Sequence, residues 1–177
     1  MVFKLKNKDL VYQDTRKFGR MHLIEKDELN TYHKLIELGK EPWDKDLDIS
    51  YLKDKYKNKN IPIKTTLLDQ NIITGIGNIY ADEILFLSNI NPLTKPKDLK
   101  DKDLELIIDN TKKVLEKAIK LGGTTIRTFS VDNIHGKFQN ELYVHGKKDE
   151  SCLICKSTIL KIKVNGRGTY YCPKCQK

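Results

Sequence analysis

SCLICKSTILKIKVNGRGTYYCPKCQK, residues 151–177, holds every cysteine of the 177-residue chain: Cys152 and Cys155, then, after sixteen residues, Cys172 and Cys175. Two Cys-x2-Cys pairs at this separation can close a tetrahedral zinc site of four thiolates. The competing readings are two disulfides or a redox pair. A lysine-rich chain with no signal-peptide pattern points to no oxidising compartment, and a redox motif needs only one such pair. One structural Zn2+ ion is therefore expected on Cys152, Cys155, Cys172 and Cys175. Between the pairs, Asn165-Gly166 precedes Thr169-Tyr170-Tyr171, a strong hairpin signal that places Arg167 at the tip. The stretch is too short to bury a core. The metal must then carry most of its folding free energy, on the order of 10 kcal/mol for structural sites.

At 38% hydrophobic residues the chain can hold one medium domain or two small ones. No apolar run approaches the roughly 20 residues of a membrane helix. The formal charge is +9, from 33 basic and 24 acidic residues, which suits a polyanionic partner without identifying one. From Leu142 onward there are eight basic and two acidic residues, formally +6. Four thiolates on zinc are net −2, leaving about +4 on a small ribbon.

Residues 1–24 read as strands: Val2 to Leu5, Leu10 to Gln13 and Phe18 to Ile24, with a turn at Asn7-Lys8-Asp9. So few strands with open edges are marginal alone, so they are expected to be the remnant of a larger β structure. The pattern turns helical at Asp27 to Leu38, with Gly39 as the C-terminal cap, and again at Ile49 to Tyr56. Pro62 opens a helix running to about Gln70, Ile79 to Leu87 forms another, and the longest spans about Asp101 to Leu121. On that last helix Leu104, Ile108, Thr111, Leu115 and Ala118 line one face, and Gly122-Gly123 end it. Gln139 to Val144 reads as a strand leading into the cysteine module.

Gly75-Ile76-Gly77-Asn78 lies between two helices. Its glycines let backbone amides at the second helix's N-terminus approach a ligand, and Asn78 suits an N-cap that also donates to phosphate oxygen. It is no dinucleotide fingerprint, because no strand precedes it and Tyr80 stands where the third glycine belongs. An ordinary tight turn competes with the phosphate reading.

In order along the chain, Asp14 to Gly19, Lys64, Ile72 to Phe86 (IITGIGNIYADEILF), Gly122-Gly123-Thr124-Thr125 and the four cysteines resemble the formamidopyrimidine-DNA glycosylase family. The likeness spans essentially the whole chain. It implies a mainly α fold with small β elements. Strands of a truncated catalytic β-sandwich (1–24) would be followed by a helical helix-two-turn-helix domain (25–138) and a zinc-finger β-hairpin (139–177). It also implies base excision repair of oxidised purines such as formamidopyrimidine and 8-oxoguanine, with double-stranded DNA carrying a damaged base or abasic site as partner. A monomer in a bacterial cytoplasm, associated with the nucleoid, completes the expectation. The Asp-x-Arg-x-Phe-Gly pattern favours the oxidised-purine branch over endonuclease VIII-like enzymes.

The resemblance also assigns roles. A flipped base leaves a hole at an unstacking cost of a few kcal/mol. In an extended segment, Phe18 would wedge into the stack while Arg16 meets the widowed base. Lys64 and Asn78 would hold phosphates around the lesion, with Lys57 and Lys59 as further backbone contacts. Arg167 would meet the lesion phosphate and assist elimination. The loop Val131 to Phe138 corresponds to the segment that closes over the base. Glu83 either approaches the damaged nucleotide or is a surface carboxylate, while Tyr80, Ile84 and Leu85 pack the helix pair. The histidines need no role. The family's nucleophile is an N-terminal proline followed by glutamate. This sequence begins Met1-Val2-Phe3 and has no Pro-Glu dipeptide, so binding without chemistry is expected, with a separate N-terminal catalytic domain as a further partner. The alternatives are a stand-alone, non-catalytic zinc-containing binder of kinked or damaged DNA, and a zinc ribbon of translation or transcription.

Overall fold

The structure, a computed structural model, describes residues 1–14, 17–32, 37–124 and 136–177 and divides into two units, Met1–Ile36 and Glu37–Lys177. In the first unit, β1 (Val2–Lys4) pairs antiparallel with β2 (Asp9–Val11), Phe3 opposite Leu10. All six residues are exposed. The strand expected at Phe18 to Ile24 is absent. Its start is drawn into a local knot: Asp14 accepts the Lys17 N–H at 3.0 Å on one carboxylate oxygen and the Gly19 N–H at 2.6 Å on the other. Short acidic side chains compete in this way with strand pairing. The helix expected over Asp27 to Leu38 is, among the described residues, a 3-10 turn over Lys26–Thr31.

The second unit begins with a close approach. The Gly39 N–H donates to Gln70 O at 2.8 Å, and Lys40 bridges Ile73 in parallel. A Cβ on Gly39 would lie 2.3 Å from Ile72 O, so this glycine is required by the neighbouring backbone and is not a helix cap.

Four α-helices follow among the described residues. Helix α1 (Ile49–Tyr56) is capped by Asp48, which accepts the Tyr51 N–H at 2.7 Å, and it buries Leu52 and Tyr56. Helix α2 (Ile63–Leu67) starts after Pro62 and is shorter than the pattern predicts. Helix α3 (Asn78–Leu87) buries Ala81 through Phe86 continuously, as befits a helix enclosed on nearly all sides. Helix α4 (Asp101–Lys120) matches its expected span within a residue. Asp101 and Asp103 occupy its first turn and Lys117 and Lys120 its last, complementing the helix dipole. Its end closes with the Gly123 N–H donating to Ala118 O at 2.8 Å, which requires the positive φ of Gly122 and Gly123.

Leu52, Tyr56, Ile63, Leu67, Ile84, Leu85, Leu104 and Ile107 are fully or almost fully buried in the main core. The expected strand over Gln139 to Val144 is instead a 3-10 turn, Phe138–Glu141, followed by extended Leu142 and a bend at Tyr143 and Val144. Strands β3 (Leu160–Val164) and β4 (Arg167–Tyr171) form the hairpin, with Val164 opposite Arg167. Asn165 and Gly166, at φ 44° and 80°, make the two-residue turn. Arg167 is therefore the first residue of β4, beside the turn. A small second core joins Phe86 of α3 to Val144, Cys152, Ile159 and Cys172, and the Phe86 ring stacks on Tyr143 at 5.4 Å.

Candidate nucleic-acid interface

The four cysteine sulfurs all lie within 4.8 Å of one another, with Cys155 and Cys172 at 3.3 Å and Cys152 and Cys175 at 3.9 Å. Thiolates about 2.3 Å from one ion in tetrahedral geometry sit about 3.8 Å apart, so the set fits a single zinc. None forms a disulfide. Both knuckles repeat one turn: Lys156 N–H to Cys152 O and Gln176 N–H to Cys172 O, each 3.0 Å. Gln176 ties the second knuckle to α3's end, accepting the Cys172 N–H and donating to Ile90 O, both at 2.9 Å.

The turn before α3 is laced by one side chain. Gln70 accepts the Gly75 N–H at 2.8 Å and donates to Ile76 O at 3.1 Å, while Gly75 takes φ 88°. The N-cap of α3 is Gly77, and Asn78, expected there, is the first helical residue. No side chain caps this end, and its first turn carries no acid. A Cβ on Gly77 would meet nothing within 4 Å, so the backbone here opens outward.

Across from this turn lies β4. Asn78 Nδ2 donates to Gly168 O at 3.2 Å, and the same carbonyl accepts from Lys64 Nζ at 2.9 Å. Lys64, expected at a phosphate, has its partners inside the protein. Its side chain is buried, and its ammonium pairs with Asp82 at 2.7 Å and reaches Thr169 Oγ1 at 2.9 Å. Burial lowers the Lys64 pKa; Asp82 opposes this, and the Arg167 charge adds to it. Asp82 also contacts His145 Nδ1 at 2.7 Å and accepts the Tyr170 N–H at 3.2 Å. His145, expected to need no role, is thus part of the joint and also packs edge-on against Tyr170.

Glu83 is no surface carboxylate. It is 1% exposed and accepts the backbone N–H groups of Tyr143, Val144 and His145 at 2.7, 3.0 and 2.8 Å. Burial pushes its pKa up, and the three N–H groups pull it back. Two adjacent acids inside an otherwise apolar helix were the sequence signal for both joints, since buried charges need partners. Tyr80, Ile84 and Leu85 pack as expected, the last two wholly buried and Tyr80 edge-on to Phe138.

The structure ties Asn78 to Gly168, the residue after Arg167, and leaves Arg167 exposed. Lys59 lies 3.4 Å from Asp69, both half-buried, and Lys57 lies 2.6 Å from Asp54 at the surface. In the first unit Phe18 is 75% exposed. Lys17 takes φ 57°, so the segment turns and is not the extended strand expected. Arg16, Thr125 and residues 131–135 of the expected closing loop lie outside the described residues.

Fold and site together define a helix-two-turn-helix module joined to a four-cysteine zinc finger, mainly helical with two small hairpins. Residues 38–130 match the formamidopyrimidine-DNA glycosylase H2TH domain, and residues 149–177 match the zinc finger found in FPG and IleRS. The chain belongs to the formamidopyrimidine-DNA glycosylase family. It is 44% identical over 169 residues to the formamidopyrimidine-DNA glycosylase of Oceanobacillus iheyensis, covering 95% of this chain and 60% of that one. The complex of a Lactococcus lactis FPG variant with Fapy-dG containing DNA is similar at TM-score 0.92 and 42% identity, over 99% of this chain and 65% of that one. A complex of Lactococcus lactis Fpg with DNA containing an abasic site matches at TM-score 0.91, with the same identity and coverage. The chain thus spans about 60 to 65% of the length of these relatives.

Proposed function

We propose that this chain binds double-stranded DNA at a damaged or abasic nucleotide, as the DNA-gripping part of a base-excision-repair glycosylase for oxidised purines. One observation carries the reading: the Gly168 carbonyl is held by Asn78, which seats the strand bearing exposed Arg167 at the open end of α3. An uncapped helix N-terminus and a guanidinium are complementary to a phosphate, and neither reads sequence. The second N–H of the Asn78 amide and the backbone around Gly77 complete the anion site, and Lys59 adds a peripheral contact. Phe18, exposed on the first unit, is the wedge, with Arg16 beside it in sequence. Solved complexes of similar proteins with Fapy-dG and abasic-site DNA support the choice of lesion.

The same reading makes the chain a binder without bond-breaking chemistry of its own. The family's proline-glutamate pair occurs nowhere in this sequence, so a catalytic domain, joined or separate, is the partner that would supply the nucleophile. Arg167 assists elimination only in that company. No helix among the described residues is long and apolar enough to cross a membrane. The relatives are bacterial, and the proposal places the chain in the cytoplasm, at the nucleoid, as a monomer.

Fluorescence anisotropy with an abasic-site duplex across a salt series tests the reading. Binding should weaken steeply with salt, and Arg167→Ala should reduce the log–log slope by about one phosphate's worth. An unchanged slope removes Arg167 from the phosphate site. Borohydride treatment with an 8-oxoguanine duplex should trap no covalent product, and a trapped adduct would refute the non-catalytic assignment.

A further inference from the structure

We propose that Asp82 is a positioning residue for Arg167, holding the strand that carries the guanidinium in register with the N-terminus of α3. The inference rests on the reading of Arg167 as a phosphate contact.

Asp82 lies one helical turn after Asn78, on the same face of α3. It is 1% exposed and faces three groups from three other segments: the Lys64 ammonium of α2, the His145 imidazole and the Tyr170 N–H of β4. Lys64 forms an ion pair with Asp82 and donates to Gly168 O and Thr169 Oγ1. Gly168, Thr169 and Tyr170, the three residues that follow Arg167, are therefore each bonded to Asp82 or to its counter-ion. On its other edge β4 pairs with β3, with Gly168 opposite Lys163 and Thr169 opposite Ile162. Asn78 adds one more bond to Gly168 O, whereas Glu83 and Gln176 tie residues outside the hairpin, so the register of β4 on α3 rests chiefly on this group. Apolar contact resists separation but is non-directional, so it resists sliding poorly. Charge-assisted hydrogen bonds have fixed directions.

Stability alone does not account for the pair. A buried ion pair recovers its desolvation cost only in part, and a well-packed apolar replacement is often as stable or more so. The pair sits where register matters, directly behind Arg167.

The combined replacement Lys64→Met with Asp82→Leu, in the full chain loaded with zinc, separates the two roles. The melting midpoint should be unchanged or higher and zinc content intact, whereas affinity for an abasic-site duplex should fall about tenfold. The salt slope should drop by about one phosphate, as for Arg167→Ala. Adding Arg167→Ala to the double replacement should change little further, because both act through one guanidinium. Should the apolar pair melt early, Asp82→Asn, which keeps shape and removes charge, is measured in the same way. Unchanged binding in a folded variant overturns the proposal, as does a loss that multiplies independently with Arg167→Ala. Collapse of the fold in both variants assigns the pair to stability and overturns it too. If Arg167→Ala alone leaves affinity intact, the phosphate reading itself fails. A sensitive Arg167 with an insensitive Asp82 overturns only this inference.

Discussion

Removing the Glu83 carboxylate should uncouple the zinc module from the helices. One carboxylate satisfies three consecutive backbone N–H groups, with the Val144 and His145 bonds converging on one oxygen and the Tyr143 bond on the other. A hydrogen bond to a charged group contributes about 1.5–3 kcal/mol, and a buried N–H left alone costs about 1–3 kcal/mol. Val144 is fully buried, while Tyr143 and His145 are half-buried and can regain water in part. Glu83→Ala should then cost on the order of 4 kcal/mol, one full orphan plus two partly rehydrated groups. Glu83→Gln can keep the oxygen serving Val144 and His145, but turns an NH2 toward the Tyr143 N–H. It should cost less than Glu83→Ala, because the lost bond is partly offset by removal of a buried charge whose desolvation is unfavourable. Urea denaturation gives the total, and amide hydrogen exchange assigns it: protection at residues 143–145 should fall in Glu83→Ala ahead of the α4 core. A cost below about 1 kcal/mol in Glu83→Ala, with those amides still protected, would refute the clamp.

Three further outcomes are expected. Chelating the metal should unfold the hairpin and expose Phe86, seen as a lower melting midpoint for the whole second unit; an unchanged midpoint would mean that the cysteines staple nothing. Gly166→Ala, placing a side chain at φ 80°, should cost about 1 kcal/mol in chemical denaturation, whereas stability equal to wild type would exclude the two-residue turn. Because burial raises the folded-state pKa of Glu83 above its ordinary value near 4.5, the native state binds the proton more tightly than the unfolded chain. Its contribution is present below that ordinary value and is lost as pH rises through the folded value. The stability difference between wild type and Glu83→Gln should therefore shrink across that window, and a difference that grows would reverse the sign of the shift.

Features encoded by local spacing were legible in the sequence. The paired Cys-x2-Cys spacing, the Asn165-Gly166 turn, the glycine turn before α3 and the α4 stripe all lie within a few residues of their own signal. What escaped is long-range. Lys64 meets residues 168 and 169, Glu83 meets residues 143–145, and Phe86 fills the zinc module's core. No periodicity announces partners sixty to a hundred positions away. Local chemistry also overrode pattern: Asp14 binds the amides of Lys17 and Gly19, so the apolar run from Phe18 never becomes a strand. The segment after Phe138 lost its strand for the opposite reason. Its amides go to a carboxylate on α3 and so are not available to a neighbouring strand.

The Gly39 approach carries a mechanical consequence. Gly39 and Lys40 bond to Gln70 and Ile72, and Thr74 bonds back to Lys40, just ahead of the turn that presents α3. Tension along the chain from Glu37 would load these three bonds together, in shear, before it reached any helix. The turn at Gly75 would feel that load first, so the open end of α3 is anchored against forces arriving through the backbone from that side.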